Sequence, residues 1–314
     1  MAVLHSKQSE WGQFPIYLKC TAGMRTLDSP NRARVISAVR NIFSNHTYSP
    51  FYFIPEQARV ISGEEEAIYG WTAVNFALGT LLEASEGSGT VVNPKLTFGA
   101  LDLGGASTQI SFYEANEDIM SNLFKLQIGQ GKHWNVYAHS FLYFGINEAW
   151  NRFGARLVLS GAKNEYKSTV YNPCLPGGTS VEFTSAIYFD KQGIESWQTS
   201  NNNEDLSKSY TATLKNDNPY GDFEKCSEIV RSLLAKDQNN WCNFAHHGDC
   251  SVSHVYQPRL PLQQDNFGEF FAFTNFYKVW VSQSCYIESI VFRCYRSFNQ
   301  YDKIELYSYN FLTK

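Results

Sequence analysis

Along the first third of the chain, short apolar runs alternate with stretches in which apolar residues recur at helical spacing. Residues 15–20 (PIYLKC) form a compact apolar run ending in TAGMR, which predicts a buried strand feeding a loop at its carboxyl end. Ser29 precedes Pro30, and Ala33, Ile36, Val39, Ile42 and Phe43 follow with Arg32, Arg34 and Arg40 between them, which predicts an amphipathic helix. Residues 58–61 (ARVI) predict a second short strand. Ser62, followed three residues later by Glu65, has the capping-box pattern and opens a helix with Ile68, Trp71, Val74, Leu78 and Leu82 on its apolar side. Strands alternating with helices predict an α/β fold.

Residues 85–95 (SEGSGTVVNPK) read as a connection, and LTFGALDLGGASTQISF from Leu96 reads as two strands around a Gly-Gly turn. The pattern is mixed over 124–159. Residues 160–220 are polar, rich in Asn and Ser, and carry Pro173, Pro176 and Pro219, so a loop-rich region is expected there. Residues 223–235 are helix-like, and 267–281 (FGEFFAFTNFYKVWV) are strongly aromatic and apolar. No repeat of about 20 to 50 residues is present.

Composition narrows the class. The chain has 314 residues, 43% of them hydrophobic, with 7 Trp, 19 Tyr and 23 Phe, enough for a substantial core in one large or two ordinary domains. The net charge is -4 with no basic block, so no nucleic-acid partner is expected. No apolar run is long enough to span a bilayer, and residues 1–12 lack the apolar core and small-residue cleavage site of a signal peptide, so neither segment is expected within the chain.

Asp102 to Gln109, DLGGASTQ, is the most informative stretch. A strand ends in a carboxylate and turns through Gly104 and Gly105 into hydroxyl residues; the glycines let main-chain N–H groups approach an anion, and Ser107 and Thr108 can donate to it. Asp102 could hold Mg²⁺ or Ca²⁺ through water. An ordinary hairpin with a Gly-Gly turn fits the same residues. Glu64, Glu65 and Glu66 stand where carboxylates complement a helix dipole. Glu66 differs in that Gly70, Ala73 and Ala77 continue its face, leaving room for another backbone or a ligand, and a carboxylate there could orient water. Thr21, Ala22 and Arg25 of TAGMR follow a strand where α/β sheets bind ligands, although a capping Thr and a surface Arg would serve as well. GQGK (129–132) lacks the spacing and the hydroxyl of a P-loop and is set aside.

Cys242, His246, Cys250 and His254, with His247 beside them, have the side chains for zinc, but their loop composition does not hold four-residue spacing on one face. A Cys242–Cys250 disulfide is the preferred expectation, with Cys174 and Cys226 as a second candidate pair, and both imply an oxidising compartment. Cys20 is expected to remain a buried thiol, while Cys285 and Cys294 are unassigned. Asn45-His46-Thr47 is the one glycosylation sequon in the chain.

Taken in order, PIYLKCTAGMR, GEEEAIYGW and ALDLGGASTQISF resemble three of the five apyrase signature blocks of the ectonucleoside triphosphate diphosphohydrolases. NVYAHSFLYFG (135–145) and FGEFFAF (267–273) also resemble family segments, so the likeness runs from about residue 15 to 277. The resemblance implies an actin-like ATPase fold of two ribonuclease-H-related domains, the first incomplete here. Residues 1–65 would be the remainder of the first, phosphate-binding domain, 66–280 the second with the phosphate hairpin and base-binding region, and 281–314 a tail unlike the family. It further implies metal-dependent hydrolysis of nucleoside tri- and diphosphates, the ATP, ADP, UTP and UDP class, with Ca²⁺ or Mg²⁺ as cofactor. Glu66 would be the catalytic base and Asp102 would organise the metal's water shell. Gly104, Gly105, Ala106, Ser107, Thr108 and Gln109 would hold phosphate and nucleophile, and Thr21, Ala22 and Arg25 would line the same cleft. The longer protein would be membrane-anchored at the cell surface or in the secretory-pathway lumen.

The chain also departs from that pattern. The first block, an Asp-x-Gly-Ser hairpin, has no counterpart before Pro15, and the fifth, an Asp-Ala-Gly-Trp segment, is absent, so a fragment of weak or no activity is expected. Ala67 replaces the usual Gly, and Thr274 and Asn275 stand where aromatic residues often pack beside the nucleobase. A noncatalytic nucleotide- or partner-binding protein that keeps the DLGGASTQ cradle is the alternative. An actin-like sugar or acetate kinase would leave TAGMR and EEEAIYGW without a purpose.

Overall fold

A computed structural model of the chain describes residues 8–81, 94–115, 121–128, 133–161, 169–186, 209–219, 221–234, 251–261 and 269–282, with the short strands 291–292 and 306–307. It is a mixed α/β structure. The chain gathers into two compact units, one of residues 1–146 and 260–314 and the other of residues 147–259.

The first unit opens with a two-stranded parallel sheet, β1 (Leu18–Cys20) with β2 (Ala58–Val60). The apolar run that predicted β1 begins earlier, but Pro15 makes only an isolated bridge to Tyr52, since proline has no N–H for a ladder. Thr21 stands at the head of a single helical turn, α1 (Ala22–Arg25), in place of the expected loop. Helix α2 (Ser29–Ser44) is capped one residue earlier than the Ser-Pro pair suggests, because the Asp28 carboxylate accepts from the Asn31 backbone at 2.8 Å and from its side chain at 2.7 Å. Of its apolar stripe Ile36 is buried, Val39 and Phe43 are half-buried, and Ala33 and Ile42 are exposed. Arg40 Nε donates to the Ala58 carbonyl at 3.1 Å, tying α2 to β2.

Helix α3 (Gly63–Ala77) starts on the predicted capping box: Ser62 Oγ accepts from Glu65 N at 3.0 Å and Glu65 Oε2 from Ser62 N at 3.1 Å. It stops at Ala77, with Leu78 as its cap and Gly79 at φ 74°, while the expected Leu82 lies outside the described residues. It lies on a five-stranded sheet of order β10-β3-β4-β6-β5, made of β3 (Gly99–Leu103), β4 (Ser107–Tyr113), β5 (Leu123–Gln127), β6 (His133–Leu142) and β10 (Phe270–Thr274). All pairs are antiparallel except β10 with β3. The mixed stretch from 124 thus resolves into β5 and β6 followed by helix α4 (Ile146–Gly161). Trp71, Leu81, Ala100, Trp134 and Val136 form the core between α3 and the sheet, and Phe112, Tyr137 and Phe270 pack on the other face. After β10 the chain turns directly into α6 (Asn275–Ser282); β11 (Val291–Phe292) and β12 (Leu306–Tyr307) pair antiparallel.

The second unit corrects the expectation of a loop-rich region over 160–220. It holds a three-stranded sheet of order β7-β9-β8, from β7 (Thr169–Tyr171), β8 (Thr179–Ala186) and β9 (Ser209–Asn216). The strands were hidden by composition: Val181 and Phe183 alternate with Ser180, Glu182 and Thr184, and Ala212 and Leu214 with Thr211, Thr213 and Lys215, residues that read as polar although the Thr suit the pleat. Phe183, Ala212 and Leu214 join Phe153, Leu157, Val158 and Val170 in its core. Helix α5 (Phe223–Leu234) forms as expected and is joined to the segment after β7 by the Cys174–Cys226 disulfide. Cys242, His246, His247, Cys250, Cys285 and Cys294 lie outside the described residues, and Cys20 is a half-buried free thiol whose pKa burial raises.

Candidate active site

The expected residues converge where the amino end of α3 meets the β3–β4 turn. β4 alternates so that Ser107, Gln109 and Ser111, all buried, face α3. Ser111 Oγ donates to the Ala67 carbonyl at 3.0 Å, drawing the first turn of α3 onto this polar stripe. Gly63 permits the approach, since a Cβ there would stand 2.2 Å from Ser140 Cβ on β6.

Glu66 is the hub. Its Oε2 accepts from Arg25 Nη2 at 2.8 Å and from Gln109 Nε2 at 3.2 Å. Arg25 reaches Ser107 Oγ at 3.3 Å and the Ile61 carbonyl at 3.1 Å, so one guanidinium joins the residue after β2 to α3 and β4. Gln109 Nε2 lies 2.5 Å from Ser107 Oγ and 2.9 Å from Ser140 Oγ, while its Oε1 is buried without a partner among the described residues. Burial raises the Glu66 pKa; Arg25 opposes that rise and the negative charge of Asp102 adds to it. Glu65 points elsewhere, paired with Arg59 at 2.5 Å and 2.8 Å, and that partner's hydrogen bonds bring its pKa down to about 2.

Asp102 stands near the end of β3 opposite Gln109 in the ladder. Its pKa is raised by burial, against a hydrogen bond from the Thr274 hydroxyl. Thr274 sits at φ 58°, in the left-handed region that a β-branched residue rarely adopts. Asn275 Nδ2 donates to the Leu103 carbonyl at 2.8 Å. The two residues at the expected base-binding position are thus tied to β3. On the small-residue face of α3, Phe273 takes the space beside Gly70, where a Cβ would lie 3.1 Å from the ring that β10 brings there by pairing with β3, while Ala73 and Ala77 are exposed.

Gly104 to Ala106 form the turn, closed by Gly104 N donating to the Ser107 carbonyl at 2.9 Å. Three bonds hold it from behind: Tyr143 N to the Ala106 carbonyl (2.7 Å), Ile146 N to the Gly104 carbonyl (3.0 Å), and Thr108 Oγ1 to the Phe144 carbonyl (2.8 Å). Thr108, on the opposite face of β4 from Ser107 and Gln109, is therefore a brace for this turn. Gly145 lies against it so closely that a Cβ would be 2.4 Å from Ala106 N. Ala22 is buried at the start of α1 and lends only backbone.

A profile of the family described as GDA1/CD39 (nucleoside phosphatase) matches residues 2–301. The chain belongs to that family. The match extends at both ends beyond the stretch marked by the motifs. Among curated members, ectonucleoside triphosphate diphosphohydrolase 8 of Mus musculus is 30% identical over 86% of this chain and 50% of its own length. Ectonucleoside triphosphate diphosphohydrolase 3 of the same species is 35% identical over 85% and 46%, and probable apyrase 6 of Arabidopsis thaliana 30% identical over 85% and 42%. The chain spans about half the length of these GDA1/CD39 relatives. A solved structure of nucleoside triphosphate hydrolases from Neospora caninum aligns over 53% of this chain and 31% of that one, at 23% identity and a TM-score of 0.41.

Ser140, Gly63 and the 143–146 turn were not singled out one by one in sequence, though the NVYAHSFLYFG resemblance ran through two of the three. The resemblance placed Arg25 and Glu66 in one cleft, but their direct pairing, across 41 residues, had no signal of its own.

Proposed function

We propose that this chain carries the phosphate-hydrolysing half of an enzyme acting on nucleoside tri- and diphosphates, with water attacking the terminal phosphoryl group. The observation that carries the reading is the Glu66 carboxylate, half-buried beside Ser107 and Gln109 at the DLGGASTQ turn. A water beside it donates a hydrogen to the Glu66 carboxylate, which aims the water's oxygen lone pair at phosphorus. Burial makes Glu66 a stronger base than a solvated carboxylate and keeps competing water away. Main-chain N–H groups of Gly105 and Ala106 in the turn hold the phosphate oxygens, and Thr21, Ala22 and Arg25 border the same space, Arg25 by holding the carboxylate in place.

Among the described residues no three His, Cys, Asp or Glu side chains cluster as direct metal ligands. Asp102, a single carboxylate at a strand end, fits a cation held through its water shell, as Mg²⁺ or Ca²⁺ bound chiefly to phosphate would be. Such a cation supplies charge neutralisation on the phosphate chain.

This reading carries the actin-like, two-domain fold with it, residues 1–65 ending one lobe and 66–280 belonging to the next. In its favour, the strands before and after α3 in the chain belong to separate sheets; against the boundary at 65, both sheets fall in one compact unit. The Cys174–Cys226 disulfide and the ecto- names of the relatives support a cell-surface or luminal site. No helix among the described residues is long and apolar enough to cross a membrane.

A noncatalytic nucleotide-binding role has one observation in its favour: Glu66 Oε2 is already engaged by Arg25 and Gln109. Phosphate release from ATP and ADP, by the chain expressed into an oxidising compartment, distinguishes the two. Release that needs Ca²⁺ or Mg²⁺, stops with EDTA and is lost in Glu66→Ala establishes the hydrolase. A folded chain that binds nucleotide without release establishes the binder.

A further inference from the structure

The one sequon in the chain, Asn45-His46-Thr47, takes no part in the site above. All three of its residues are exposed where α2 ends. The Asn45 main chain already ends the helix: its N–H donates to the Ile42 carbonyl at 3.2 Å, and its carbonyl accepts from Tyr48 N and Ser49 N, both at 2.9 Å. The Asn45 side chain is therefore not needed as a cap. Its Oδ1 accepts from Thr47 N at 2.9 Å, an Asx turn that leaves Nδ2 without an acceptor among the described residues.

Two neighbours add an independent observation. Tyr48, at 73% exposure, is the most exposed large apolar side chain among the described residues, and Ile42 on the last turn of α2 is 52% exposed. They flank Asn45 three residues to either side. Both offer apolar surface close in the chain to the sequon, and the C–H faces of a sugar ring stack well on a phenol ring. The Cys174–Cys226 bond independently implies the oxidising compartment in which sequons are modified.

We propose that Asn45 is an N-glycosylation site and that its first sugars cover Tyr48 and Ile42. The substrate class is a lipid-pyrophosphate-linked oligosaccharide. Asn45 Nδ2 bonds to the anomeric carbon and loses one proton, and the carbon–oxygen bond to pyrophosphate breaks, the lipid pyrophosphate leaving with the electron pair.

The test is expression of the full chain behind a secretion leader in a eukaryotic cell, assaying secreted and intracellular pools together, since transfer precedes folding. Peptide-N-glycosidase should increase the mobility of the parent and of Thr47→Ser, and leave an isotopic label at position 45 in heavy-oxygen water. Asn45→Gln and Thr47→Ala should migrate with the deglycosylated chain. A translocated, disulfide-bonded parent that the glycosidase does not shift overturns the proposal. For the covering role, glycosidase treatment of the parent should raise binding of an apolar dye, and Tyr48→Ser should abolish that rise; equal dye binding before and after treatment overturns the covering role.

Discussion

Gly145→Ala tests how the phosphate turn is braced. The added Cβ would stand 2.4 Å from Ala106 N and Gly105 C and 2.5 Å from Ser107 N, all backbone atoms with no rotamer to yield. Ordinary contact begins near 3.4 Å, so the two segments must part by about 1 Å. That would stretch the bonds now at 2.7, 2.8 and 3.0 Å beyond hydrogen-bond range. At about 0.5–1.5 kcal/mol net for each bond, the expected loss is about 3 kcal/mol, in line with about 1–3 kcal/mol for overpacking. Hydrogen exchange reads it locally: the amides of Tyr143 and Ile146 should lose about 100-fold in protection, while those in 147–259 hold theirs. Gly23→Ala is the control, because nothing lies within 4 Å of its Cβ position and the residue is helical. Unchanged protection over 143–146 in the Gly145→Ala variant, with a native urea midpoint, would refute the close approach and the bracing with it.

Glu66→Gln should alter the pH dependence of stability in a set direction. The carboxyl pKa is raised on folding, so its contribution is fully present below 4.5 and is lost as pH rises through the folded value. The variant should therefore gain on the parent with rising pH, read as urea midpoints across the acid range, and a relative decline would contradict burial as the dominant cause. Thr274→Val should cost about 1–3 kcal/mol, since it keeps the positive φ and strips Asp102 of its hydrogen bond, whereas Thr274→Gly relieves the backbone and should cost less; equal midpoints for the two would argue against the strain. Ser62→Ala should lower stability by about 1 kcal/mol through the capping box, measured by urea denaturation. Replacing Cys174 and Cys226 by Ser opens a loop with a separation of 52 residues and should cost about 4 kcal/mol, seen as faster proteolysis within 147–259 than within 8–81.

Local chemistry was legible wherever a few neighbouring residues settle it. The capping box at Ser62 and Glu65, the helices α2 and α5, and the strand before TAGMR follow from spacing and from orphan N–H groups needing nearby acceptors. The order of TAGMR, GEEEAIYGW and DLGGASTQ was enough to point to one family and to Glu66. Strands 169–171, 179–186 and 209–216 escape a sequence reading because Thr and Ser satisfy a strand's outer face as readily as a loop, and only their pairing into a sheet over Phe153 and Leu157 separates the two. Partners distant in sequence lay beyond any pattern. Arg25 meets Glu66 because β1 pairs with β2 just ahead of α3; Thr274 meets Asp102, Phe273 fills the space beside Gly70, and Gly145 seats against Ala106 because the β10-β3-β4-β6 register brings those backbones together. Residue types limit which contacts can form; strand order and packing select among them.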